Sequence, residues 1–108
     1  MRTYQTLYQN EIRDLEITIN TQSGLEFIPS GAFVTILSTA DNDNAYAGTD
    51  YTDTPVVSIK PAAIDDNKVS TIIGVDVTAN VGTYKVLWKL KNGPYTYYHI
   101  TDLEIVEP

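Results

Sequence analysis

Few side chains in this sequence could do chemistry: one histidine (His99), some neighbouring acids, and no cysteine at all. A hydrolytic triad built on His99 would need a nucleophile on one side of the imidazole and an orienting acid on the other. No Gly-x-Ser-x-Gly stretch occurs, and Asp102 stands three residues on, across the pleat of an extended chain. As a metal ligand, His99 has no second imidazole and no thiolate to help it. The expected role is a strand histidine at an edge or an interface.

Two acid-rich stretches remain. Asp41-Asn42-Asp43-Asn44 offers the oxygen donors that calcium takes. An EF-hand loop beginning at Asp41 would need a third ligand at its fifth place, glycine at the sixth and an acid at the last. Ala45, Tyr46 and Thr52 occupy those places, so a solvated loop is expected. Asp65-Asp66 is equally poor as a glycosidase pair. That chemistry needs two carboxylates facing each other across a cleft, whereas neighbours in a turn point apart. The sequence predicts a protein that is not an enzyme and holds neither metal nor cofactor.

The elements that carry these residues read as strands. Tyr84, Val86, Trp88 and Leu90 recur at a spacing of two and share one face, with Lys85, Lys89 and Lys91 on the other. Gly82 gives the backbone freedom for a bend before this strand, and Asn92-Gly93 is a hairpin dipeptide after it. Leu15, Ile17 and Ile19 alternate with polar residues, as in a strand buried on one face. Pro29-Ser30-Gly31 reads as a turn and residues 32–39 as a strand apolar on both faces, hence central. Residues 40–54 read as a long loop, 56–59 as a short strand stopped by Pro61, and Ala62-Ala63-Ile64 as one helical turn. Residues 68–75 and 95–106 supply further strands, the last with Tyr95, Tyr97, His99, Thr101, Leu103 and Ile105 on one face. With almost no helical periodicity, the pattern predicts an all-β antiparallel sandwich of about seven strands. It occupies residues 11–108, preceded by an arm or edge strand over residues 1–10.

At 108 residues the chain is long enough for one core without disulfide or metal staples. Fourteen acids against seven bases give a formal charge of −7, which disfavours a general grip on nucleic acid. The first six residues lack the apolar stretch of a signal peptide, and no apolar run approaches the ~20 residues of a spanning helix. Neither nucleic acid nor membrane is an expected partner.

Asn80-x-Gly82-x-Tyr84-x-Val86 resembles the E–F corner of immunoglobulin-like domains, Asp-x-Gly-x-Tyr-x-Cys, in which the tyrosine hydroxyl returns to the backbone just upstream. Asn80 replaces the acid and Val86 the half-cystine, and Trp88 sits on the F-like strand instead of strand C. The resemblance therefore implies an immunoglobulin-like sandwich outside the antibody type. A wider layout is similar to the small β-sandwich proteins of tailed bacteriophage virions. It comprises an N-terminal arm, Leu15-x-Ile17-x-Ile19, residues 27–32, Val56-Val57-Ser58-Ile59, Gly82–Trp88 and Tyr97-Tyr98-His99 before Leu103–Val106. That resemblance implies a virion structural protein, made in the host cytoplasm and placed on the head, neck or tail. Its partners would be other virion proteins (capsid, portal or tail components) together with copies of itself.

The tyrosines carry the interface reading. Tyr4 and Tyr8 lie in the arm, Tyr46 and Tyr51 in the long loop, and Tyr95 and Tyr98 after the hairpin. A tyrosine buries a large ring and keeps a polar tip, which suits a partly wet contact. Because Tyr97 and Tyr98 are neighbours in a strand, they face opposite sides. Two uses are open: packing against proteins, or a stacking platform of Tyr46, Tyr51, Tyr95 and Tyr98 for carbohydrate or a host surface. The arm is expected to add a strand to a neighbouring sheet, so that deleting residues 1–10 spares the monomer fold.

Overall fold

A computed structural model describes residues 3–19, 29–38 and 55–108. Among the described residues, eight strands make two packed sheets, accompanied by one short helix. In chain order they are β1 (Thr3–Tyr8), β2 (Arg13–Thr18), β3 (Gly31–Ser38), β4 (Val57–Pro61), β5 (Ala63–Asp65), β6 (Lys68–Ile73), α1 (Val75–Thr78), β7 (Gly82–Asn92) and β8 (Tyr95–Val106). The larger sheet has the order β1-β8-β7-β3-β4 and the smaller β2-β6-β5. In immunoglobulin lettering, β8, β7, β3 and β4 take the places of G, F, C and C′, while β2, β6 and β5 take those of B, E and D.

Period-two patterning explains which faces meet. Tyr84, Val86, Trp88 and Leu90 of β7 join Ala32, Val34 and Ile36 of β3, Leu103 and Ile105 of β8, and Leu7 of β1 in one buried cluster. Leu15, Ile17, Val69 and Ile73 close it from the smaller sheet, with Val77 from α1. Trp88 is wholly buried, and its indole N–H donates to Thr101 Oγ1 at 2.9 Å, so the polar edge of the ring is satisfied inside the core. On the outer face of the larger sheet, Leu37 and Leu87 form a second, smaller buried cluster against Ile100. That cluster accounts for β3 being apolar on both faces.

The corner before β7 is a tyrosine corner. Tyr84 Oη donates to the carbonyl of Asn80 at 2.9 Å, and Gly82 takes φ +154°, a value L side chains rarely adopt. Burial pushes the pKa of the Tyr84 hydroxyl up, so it stays a donor. Tyr84→Phe should lower unfolding free energy by about 0.5–1.5 kcal/mol with an unchanged denaturant slope. Asn80 is exposed, so water can take over its carbonyl and hold the loss in that range. A urea titration followed by circular dichroism checks this. A loss near zero would mean that the bond does not pin the corner.

Several expectations need correcting. The strands number eight among the described residues, in keeping with about seven, but β1 runs parallel to β8, so the larger sheet is mixed and not wholly antiparallel. Of the two forms expected for the first segment, arm or edge strand, the structure has the edge strand: Leu7 is buried in the core and Gln9 N–H reaches the carbonyl of Val106. The expectation that deleting it spares the monomer fold therefore does not hold. Ala62-Ala63-Ile64 is not a helical turn. The chain leaves β4 at Pro61, turns at Ala62, whose N–H donates to Ala32, and starts β5 in the other sheet at Ala63. Among the described residues the one helix is α1, which packs Val77 into the core and lets the Thr78 hydroxyl donate to the carbonyl of Glu11. At the β7–β8 hairpin Asn92 is still paired, with Tyr95, so the two-residue loop is Gly93-Pro94 with Gly93 at φ +58°. Residues 40–54 lie outside the described residues.

Candidate functional site

The site is built by a mismatch in strand length. β8 has twelve residues, but β1 pairs only with Thr101–Val106. Over residues 95–100, β8 therefore has β7 on one side and no ladder neighbour on the other among the described residues. Burial changes at the same point. Thr101, Leu103 and Ile105 are sealed in the core, while Tyr95 and Tyr97, on the same face of the same strand, are 64% and 52% exposed. The tyrosines recur at the spacing of a core strand yet stay exposed on the face that buries Thr101, Leu103 and Ile105.

Tyr98 points to the opposite face and is 48% exposed. Its cross-strand neighbour is Lys89, with Lys91 facing Thr96 one pleat further toward the loop. No acidic residue lies between Asp76 and Asp102, so this hairpin end is basic and aromatic in a chain whose formal charge is −7. Such a surface can stack on flat or apolar groups and hold acidic ones.

His99 faces Trp88 across the ladder. Burial lowers its pKa, so the imidazole favours the neutral form. Among the described residues no group of three or more His, Asp or Glu could hold a metal ion. No described helix is long and apolar enough to cross a membrane.

Of the tyrosines singled out from sequence, Tyr95 and Tyr98 both reach the surface, but on opposite faces of β8, so the two do not form one flat platform. Tyr95 with Tyr97 does share a face. Tyr8 is exposed at the end of β1, opposite Val106 and far along β8 from Tyr95. Tyr4 stands opposite Asp102 in register, and only its backbone placement is described. Tyr46 and Tyr51 fall outside the described residues. Gly82 and Tyr84 lie at the corner, and Tyr84, Val86 and Trp88 in the core.

Two exposed isoleucines were not foreseen. Ile72 is 61% exposed on β6 of the smaller sheet, and Ile12, just before β2, is 67% exposed. The signal was present in Ile72-Ile73: adjacent strand residues face opposite ways, so only one of them could enter the core. Comparison with known protein families matched none of them, and a search among curated proteins found no relative of this chain.

Proposed function

We propose that the protein is a non-enzymatic assembly component acting through protein–protein contacts, and that it serves as a structural protein of a tailed phage particle, on the head, neck or tail. The observation that carries the assembly role is the overhanging end of β8, where three tyrosines and two lysines project from a rigid, tyrosine-cornered sandwich. A surface of this kind orders little backbone on binding, because the ladder between β7 and β8 already fixes the strands that carry these side chains. Many copies on a ring or shell would add modest contacts into firm attachment. The placement in a virion rests on the resemblance of the strand layout to phage sandwich proteins.

The test is peptide mass spectrometry of density-purified particles from a lysate in which the gene is expressed. The expected result is this chain in fixed stoichiometry with the capsid or tail proteins; its absence from the particles overturns the reading. A second reading, a carbohydrate- or host-surface-binding module, is favoured by one observation: Tyr95 and Tyr97 share an exposed face two residues apart. A glycan screen that produces saturable binding, lost in Tyr95→Ala, would favour it over assembly.

A further inference from the structure

We infer that the outer face of the β7–β8 hairpin docks on the outer face of the β2-β6-β5 sheet of a second copy of this chain, giving a head-to-tail stack. The inference rests on the assembly reading and names its first partner. On the larger sheet, Tyr98 lies directly across from Lys89, and Lys91 follows one pleat on, opposite Thr96. On the smaller sheet, Ile72 lies directly across from Asp14, and Glu16 follows one pleat on, opposite Ser70. Each face thus sets an apolar side chain beside one charge, with a second like charge about 7 Å further along the strand. The two faces carry opposite charge. Asp65 lies on the same sheet, opposite Lys68, and the exposed Asp66 and Asp76 flank it; the sheet's other base, Arg13, is paired with Glu11. The hairpin end has lysines and no acid.

Charge complementarity selects the occupant. Two hairpin ends would repel one another, as would two acidic faces, so a symmetric contact through either face is disfavoured. Basic face on acidic face is the attractive pairing, with Tyr98 and Ile72 supplying the apolar centre that surface ion pairs alone lack. Because the two faces are different, the contact is heterologous and leaves a free face at each end, so it builds a ring or a filament.

The experiment uses the full chain and two variants, one with Lys89→Gln and Lys91→Gln, the other with Asp14→Asn and Glu16→Gln. All four side chains are on outer faces, so both variants should melt like the parent. Sedimentation over micromolar to millimolar concentrations should show the wild type growing beyond a dimer. Each variant alone should associate about tenfold more weakly, the size expected for two lost charge pairs. An equimolar mixture should form a one-to-one complex and stop there, because it retains one intact basic face and one intact acidic face. A monomeric wild type, a wild type that stops at a dimer, or a mixture that forms no complex overturns the stack. The assembly reading fails separately, on absence of the chain from purified particles.

Discussion

Trp88→Ala should remove about 3–5 kcal/mol, a large share of the stability of a domain this size. The indole is wholly buried on the central strand β7 and touches no solvent. Its removal takes out the largest buried side chain of the core and leaves the Thr101 hydroxyl, itself fully buried, without its 2.9 Å donor. The two losses act at one point, so relaxation of the neighbours cannot relieve both. Trp88→Phe separates them: it keeps most of the volume and loses the N–H, and should cost about 1–3 kcal/mol. Urea denaturation followed by far-ultraviolet circular dichroism measures both variants. An alanine variant that unfolds at the parental midpoint would mean that the two sheets do not close on this ring.

Deletion of residues 1–10 is the second large effect. It removes all of β1, including Leu7, which is 1% exposed against Ile105 in register. Truncating one such leucine to alanine costs about 2–5 kcal/mol, and the deletion adds the loss of the β1–β8 ladder and of the bonds from Gln9 to Val106 and Asn10 to Thr78. The shortened chain should therefore lose its cooperative thermal transition. Adding a peptide of residues 1–10 should restore part of it, since the vacated edge of β8 is a template for a parallel strand. A truncated chain that melts like the parent would show that β1 does not belong to this core. The result also constrains assembly experiments, because a failure of the deletion variant to assemble would report unfolding and not a lost contact.

Much of the fold was legible from period-two patterning. Tyr84 to Leu90, Leu15 to Ile19 and the apolar run of β3 each entered the core as their spacing required. The tyrosine corner was legible because a short motif fixes a local hydrogen bond. What escaped was set by partners distant in sequence. Residues 3–8 alternate weakly, and only the register with Thr101–Val106 makes Leu7 a core residue. Ala62-Ala63-Ile64 has helix-forming alanines, but the link from β4 to β5 crosses between sheets and needs extended backbone there. α1 is only four residues long, too short to display a helical period.

The candidate site was half legible. The neighbour rule for Tyr97 and Tyr98 put one of them outside the core, while the change from exposed Tyr95 and Tyr97 to buried Thr101 along one face of β8 has no counterpart in the period-two pattern. The pairing of Lys89 with Tyr98, and of Asp14 with Ile72, is a matter of ladder register.

The claim on which the account depends is that the β7–β8 hairpin end is where this protein meets its partners. Covalent footprinting of lysine and tyrosine side chains, read by peptide mass spectrometry, addresses it directly in the dilute and the assembled protein. The account predicts that Lys89, Lys91 and Tyr98 are modified in dilute solution and protected on assembly, while Tyr8, at the far end of β1, keeps its reactivity. Equal modification of the three hairpin residues in both states would contradict it.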